Sequence, residues 1–256
     1  MIDSEKLIVL EGLDGAGKST QINLIEKYLE EKNLKYKYIH FPIYDNNEAS
    51  KIIAAYLRGE YGDINEVNPI FVANIYAMER YLYLPILQKM LMENDVILLD
   101  RYVFSNMAYQ GAKYNTETQA KIMRDWINEY EFGFLELPYP NLTIFLDTLI
   151  DSVEDRLNKK RKGEDRKYLN GKSDIHEKDI NFQIKVRDNY LSLKDYQGYQ
   201  IIECFEKKTY PLPETEKGKK GFKEITEIFL DTPEDTFKKY EKYLDNILFN
   251  KPIKNG

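Results

Sequence analysis

The chain has 256 residues, 43% of them apolar, and 37 Lys and Arg against 43 Asp and Glu give a formal net charge of −6. That length and composition suffice for one large α/β domain with a full core, but the negative balance provides no overall field to hold nucleic acid or an anionic membrane surface. One cysteine, Cys204, excludes an internal disulfide framework and a cysteine-rich metal site, and two histidines argue against a His-based zinc site.

The segment Met1 to Lys6 carries acids beside its one lysine, and the apolar run Leu7, Ile8, Val9, Leu10 is too short for a signal peptide or a membrane span. A cytoplasmic protein with no membrane partner is expected. Further along, short β-branched runs alternate with longer helical patterns, as in a parallel sheet wrapped by helices. Strands are predicted at about 6 to 11, 36 to 41, 95 to 99, 142 to 147 and 199 to 204, and helices at 17 to 32, 67 to 92, 116 to 131, 151 to 162, 175 to 195 and 233 to 248. The fold class is therefore α/β, a five-stranded parallel sheet with helices on both faces, in which ligands sit beyond the carboxyl ends of the strands.

The first strand runs into Gly12 to Thr20, GLDGAGKST, a complete G-x-x-x-x-G-K-[ST] motif. Gly12, Gly15 and Gly17, with Asp14 and Ala16 between them, free the backbone to turn several N–H groups towards phosphate oxygens. A helix beginning near Gly17 aims its positive end at the same place. Lys18 supplies a mobile cation for the β- and γ-phosphates, and the Ser19 hydroxyl is the usual Mg²⁺ ligand of such loops. The motif implies nucleoside-triphosphate binding, because a turn that binds nothing has no need for Lys18 and Ser19 together.

After the second strand come His40, Phe41, Pro42, Ile43 and Tyr44, where Pro42 would stop the strand and aim the loop. Tyr44 offers a hydroxyl to an anion or simply packs the loop. On the helix from Val67, Tyr76 and Arg80 share a face. An aromatic plane beside a forked donor suits a flat base, although a core tyrosine beside a surface arginine fits that spacing equally. The third strand delivers Asp100, Arg101 and Tyr102 to the sheet edge. An acid there is the expected partner of a P-loop magnesium, and the arginine suits bidentate phosphate contact; a strand-ending ion pair is the plain alternative. The run Arg156, Lys159, Lys160, Arg161, Lys162, Arg166, Lys167 follows the fourth strand as either a lid or a solvated helix face. The last helix has a clear start in Thr232, Pro233, Glu234 and Asp235.

Taken together, EGLDGAGKST, the Phe41-Pro42-Ile43-Tyr44 segment, the Tyr76-to-Arg80 pair and DRYVFSNMAYQG from Asp100 resemble the thymidylate kinases, over about residues 6 to 204. The resemblance implies transfer of the γ-phosphoryl group of ATP to dTMP, giving dTDP and ADP. It implies that Lys18 holds the donor phosphates within the loop Gly12 to Thr20, that Ser19 and Asp100 serve Mg²⁺, and that Asp14 meets the sugar 3′-hydroxyl. Arg101 would grip the acceptor phosphate and Phe41, Pro42 and Tyr44 would flank it. Tyr76 would stack on thymine while Arg80 reaches its O4, with Ser105, Asn106 and Gln110 candidates for the base edge. Tyr109 would lie under the sugar and exclude a 2′-hydroxyl. Family members pair as homodimers through helices, which makes 67 to 92 the candidate surface.

Ala16 stands where some relatives carry an arginine, so the missing cation is expected from a lid at about 155 to 173, with Arg156 and Arg161 as candidates. Asp174, Ile175, His176, Glu177 matches the family's DxxE pattern, and the resemblance implies a magnesium or base-side role for Glu177; the position of His176 is often tyrosine in relatives. Relatives often have an arginine near the FP motif, where this chain has Ile43 and Tyr44. They also lack the insert from Phe205 to Asp231, which reads as a loop with an extra edge strand over Ile225 to Leu230, or as a partner surface. A kinase for another monophosphate or for a nucleoside is the alternative reading. A nucleotide-operated switch is less favoured, since the NKxD and DxxG signatures of GTPases are absent.

Overall fold

A computed structural model describes residues 7–44, 47–158, 169, 174–176, 179–211 and 224–253. Its centre is a parallel sheet of β1 (Leu7–Gly12), β2 (Tyr36–His40), β3 (Val96–Asp100), β4 (Leu142–Asp147) and β5 (Tyr199–Glu203), in the order β2-β3-β1-β4-β5. β1, β3 and β4 are buried along their whole length, which is why their sequences are near-continuous apolar runs. β1 lies in the middle, with Leu10 beside Asp100 of β3 and Gly12 beside Leu146 of β4. Its carboxyl end therefore opens where the chain order reverses, the usual place for a ligand crevice.

Around the sheet run α1 (Lys18–Glu31), α2 (Glu48–Leu57), α3 (Pro69–Glu93), α4 (Val103–Gly111), α5 (Glu117–Asn128), α6 (Ile150–Asn158), α7 (Ile180–Leu191) and α8 (Pro233–Phe249). The helix predicted from 175 begins at Ile180, because the Asp179 carboxylate caps the N–H groups of Asn181 and Phe182. The one predicted over 116 to 131 ends at Asn128 and passes into a π turn over Glu129–Phe134, which buries Glu131. Neither α2 nor α4 is among the predicted helices. α2 starts with a reciprocal Asn47–Ser50 capping box.

α8 lies along α1 and braces it. Tyr240 donates to Gln21 Oε1 at 2.7 Å, Gln21 Nε2 donates to Pro233 O at 2.9 Å, and Tyr28 donates to Asp245 Oδ1 at 2.6 Å. Between β5 and α8, β6 (Phe205–Pro211) and β7 (Glu224–Leu230) pair antiparallel as a separate two-stranded sheet. The apolar run after Glu224 thus pairs within the insert instead of extending the main sheet. Only Cys204 separates β5 from β6, too short a link for β6 to lie parallel beside β5. The base of the hairpin is tied by Asp231 N–H to Cys204 O at 3.1 Å and by Lys239 Nζ to Asp231 Oδ2 at 2.5 Å and Glu203 O at 2.8 Å.

Candidate active site

Residues Leu13–Gly17 turn from the end of β1 into α1, with Gly15 (φ 83°) and Gly17 (φ 95°) in left-handed backbone that side-chained residues rarely take. Ala16 N–H closes the turn on Leu13 O at 3.1 Å, and Thr148, just after β4, donates to Ala16 O at 3.2 Å. Lys18 is buried, and its Nζ donates back to Gly12 O at 3.2 Å and Leu13 O at 3.1 Å, across the mouth of the loop. Burial, then the charge of Arg101, lower its pKa, so an arriving polyanion would relieve a cation held at a cost. Ser19 and Thr20 are exposed on the first turn of α1.

The end of β3 meets this loop. Asp100 is buried, with one carboxylate oxygen 3.2 Å from His40 Nδ1 and the other, Oδ1, without a hydrogen-bond partner among the described residues. Burial raises its pKa, but Lys18 and His40 more than offset that and leave it below the ordinary value. Arg101 takes φ 68°, and its N–H is held by Leu10 O at 3.0 Å. That backbone turn sends the guanidinium over the loop, where Nη2 donates to Asp14 Oδ1 at 2.8 Å and Nη1 to Ser105 Oγ at 3.2 Å. Tyr109 donates to the other Asp14 oxygen at 3.0 Å, and its ring lies 5.2 Å from the guanidinium. Burial favours the neutral form of Asp14, but Arg101 and Lys18 outweigh it and hold the carboxyl well below the usual carboxylate range.

Beyond Asp14 and Arg101 opens a cavity of about 800 Å³, mouth included. All eleven residues grouped by the sequence for the acceptor line it: Asp14, Phe41, Pro42, Tyr44, Tyr76, Arg80, Arg101, Ser105, Asn106, Tyr109 and Gln110. Among the described residues the amide of Gln110, which lines it, has no partner for either polar atom, and neither does Asn106 Oδ1. Buried amides left this way are a standing cost unless a ligand supplies what they lack. Arg80 does not extend freely into the cavity. Its Nε and Nη2 are forked on Glu131 at 2.6 and 2.7 Å, and Asn106 Nδ2 donates to the same carboxylate at 2.8 Å. Nη1 is the nitrogen that Glu131 does not engage.

Several residues of this site carried no sequence signal. Glu11, fully buried in β1, accepts from the N–H groups of Tyr102 (2.9 Å) and Ser105 (3.1 Å) and from the hydroxyls of Ser105 (2.5 Å) and Tyr190 (3.0 Å). It locks the start of α4 to the P-loop strand, and burial raises its pKa. Glu131 is equally unannounced, and His176, named in the sequence only as a member of the DxxE pattern, was given no role there. Arg156 lies on α6 with its side chain outside the described residues; Arg161, Glu177 and most of the segment 155 to 173 lie outside them altogether. Among the described residues no cluster of three or more His, Cys, Asp or Glu side chains is placed to hold a metal, and no helix is long and apolar enough to cross a membrane.

A P-loop at the centre of a five-stranded parallel sheet, facing a cavity that ends in an arginine and a carboxylate, defines a nucleotide kinase of the P-loop class. Residues 10–209 match the family model for thymidylate kinase, and the chain belongs to that family. It is 30% identical over 213 residues to a probable thymidylate kinase of Saccharolobus solfataricus, covering 83% of this chain and 96% of that one. It is 29% identical over 187 residues to the thymidylate kinase of Mycobacterium tuberculosis, covering 73% and 85%. The solved structure of thymidylate kinase from Candida albicans superposes with a TM-score of 0.58 at 26% identity, over 77% of this chain and 83% of that one.

Proposed function

We propose that the protein transfers the γ-phosphoryl group of ATP to the 5′-phosphate of dTMP, and that the cavity is the acceptor site. The observation that carries this assignment is the pairing of unsatisfied amide atoms at one end, on Gln110 and Asn106, with the Arg101–Asp14 pair at the P-loop end. A pyrimidine offers donor and acceptor edges to the first, and a phosphate displaces or shares the guanidinium of the second. Tyr76 supplies a ring for stacking and Arg80, aimed by Glu131, an N–H for a carbonyl oxygen. Tyr109 closes the floor where a 2′-hydroxyl would project.

The acceptor oxygen attacks the γ-phosphorus in line with the departing ADP, and charge spreads over the phosphoryl oxygens. Backbone N–H groups of Gly12 to Thr20 and the Lys18 ammonium face that charge from the donor side, and Arg101 from the acceptor side. Mg²⁺ fits the donor set: the exposed Ser19 hydroxyl and the orphaned Oδ1 of Asp100 are hard oxygens, and an ion that keeps waters and phosphate oxygens needs only one or two protein groups. Bound there, it would neutralise phosphate charge. Arg156 or Arg161, in the lid expected over about 155 to 173, supplies the cation absent at Ala16, and Glu177 serves the metal or the base. The chain works as a single domain in the cytoplasm. It pairs as a homodimer through α3, which exposes Ile70, Phe71, Met78, Tyr81, Leu82 and Ile86 and has no polar side to turn to water.

The test is a coupled ADP-release assay with Mg²⁺ATP and dTMP, dUMP, UMP, dCMP, dGMP and thymidine as acceptors. A preference for dTMP of about tenfold or more in kcat/KM is expected. Preference for thymidine or another monophosphate would overturn the roles given to Tyr76, Arg80 and Tyr109.

A further inference from the structure

A chain of polar groups that the reaction above does not use ends at the cavity wall in His176. Lys113, just past α4, places Nζ 2.8 Å from the hydroxyl of Tyr56 on α2 and 4.9 Å from the centre of the same ring. The Tyr56 oxygen lies 3.1 Å from Nε2 of His176. His176 is fixed through its backbone, its N–H donating to Asp174 Oδ1 at 2.8 Å and its carbonyl accepting from Gln183 Nε2 at 2.7 Å. Its ring tilts against Tyr109 at 5.0 Å and lines the cavity.

With Lys113 protonated, one arrangement of hydrogens along this chain satisfies every donor. An ammonium has three donors and no acceptor, so the Tyr56 oxygen accepts from Lys113 and must send its own hydrogen on to His176 Nε2. Nε2 is then an acceptor. The buried ring lies two hydrogen bonds from the Lys113 ammonium, where a second positive charge is disfavoured, so the imidazole is neutral. A neutral imidazole with an unprotonated Nε2 carries its hydrogen on Nδ1. Among the described residues Nδ1 has no hydrogen-bond partner.

We infer that Lys113, acting through Tyr56, holds His176 in the Nδ1–H form, and that this N–H is a specificity-determining donor to a sugar oxygen of the acceptor nucleotide. Lys113 and Tyr56 are positioning residues, and His176 alone touches the ligand. The inference rests on the cavity being the acceptor site, and it places the contact on the sugar because the ring packs on Tyr109 beside Asp14.

The experiment uses the full chain labelled with ¹⁵N, whose two histidines, His40 and His176, are assigned by comparison with His176→Asn. Burial brings the Lys113 ammonium down to about 7, so spectra are taken at pH 6, where it is protonated. Long-range ¹H–¹⁵N correlations are expected to show His176 protonated at Nδ1 and bare at Nε2. In Tyr56→Phe and in Lys113→Met the ring should lose that form, and KM for dTMP should rise at least fivefold with kcat within twofold. Lys113→Arg, also a donor without an acceptor, should restore both readouts. An Nε2–H ring in the parent protein, or variants that shift the tautomer but leave KM for dTMP in place, would overturn the inference. A parent protein that binds no dTMP would instead refute the acceptor assignment, with the tautomer spectrum still deciding the relay.

Discussion

Replacing Glu131 with leucine would remove the carboxylate that holds two nitrogens of Arg80, at a site where Arg80 is 3% exposed and Glu131 fully buried. The guanidinium cannot shed its proton, so it would remain as a buried charge without its counter-ion. Breaking such a pair from one side costs roughly 3–5 kcal/mol, or about 10 °C in Tm for a chain of this size. Arg80→Met combined with Glu131→Leu removes both charges, while Asn106 keeps its bond to Ala73 O at 3.0 Å. The double variant should therefore regain most of the lost stability, yet its KM for dTMP should stay about tenfold high, because the cavity has lost the Arg80 nitrogen that Glu131 aims. Denaturant unfolding of the parent, both single variants and the double variant gives the coupling energy, expected at about 2 kcal/mol or more. Additive stabilities would show that the pair does nothing as a pair, and a double variant with parental KM would reduce Arg80 to a structural residue.

Lys18→Ala should lower turnover about a hundredfold or more while Tm holds, since the lost bonds are to loop carbonyls that water can replace; a tenth of parental rate at saturating ATP would refute the P-loop assignment. Arg101→Ala should cost about 3 kcal/mol in kcat/KM for dTMP, and an unchanged value would exclude it from the phosphate. Tyr109→Phe keeps the ring and should keep discrimination against UMP, whereas Tyr109→Ala should relax it. Competition between the two acceptors measures this, and equal selectivity in both variants would dismiss the steric argument. Burial lifts the Glu79 carboxyl from 4.5 to about 7, with Ile43 N–H donating to it at 2.9 Å. The folded chain thus keeps a proton that the unfolded chain sheds, and stability should fall by up to about 3 kcal/mol as pH rises from 4.5 to 7 and stay low above. Glu79→Gln should remove that fall, which guanidinium unfolding at pH 4.5 and pH 8 would detect as a stability gain confined to the higher pH.

The parts of the site legible in the sequence are those whose spacing is local. Glycines, Lys18 and Ser19 sit on one turn, Tyr76 and Arg80 on one helical face, and Asp100 to Gln110 on a strand end and the helix after it. α4 escaped as a helix because it is buried nearly all round, so it has no polar face to create a period. The acids were harder for a related reason. A glutamate such as Glu131 reads as surface until the fold brings Arg80 across 51 positions to pair with it. Glu11 has three clients, all distant in sequence, and only the parallel register of β1 and β3 brings them together. His176 owes its place to Tyr56 and Tyr109, 120 and 67 positions away, with rings 5.5 and 5.0 Å from its own.

The two ends of the β6–β7 hairpin meet at one hydrogen bond, Asp231 N–H to Cys204 O, and Lys239 on α8 clasps that junction from below. From the standpoint of the main sheet the whole excursion is therefore equivalent to a tight corner, and closure entropy grows only slowly with the length of chain sent out from it. A longer hairpin, or another peptide in its place, should then leave α8 seated on α1. Since α8 steadies the helix that begins at Lys18, the phosphate end of the site is insulated from whatever that outgrowth becomes.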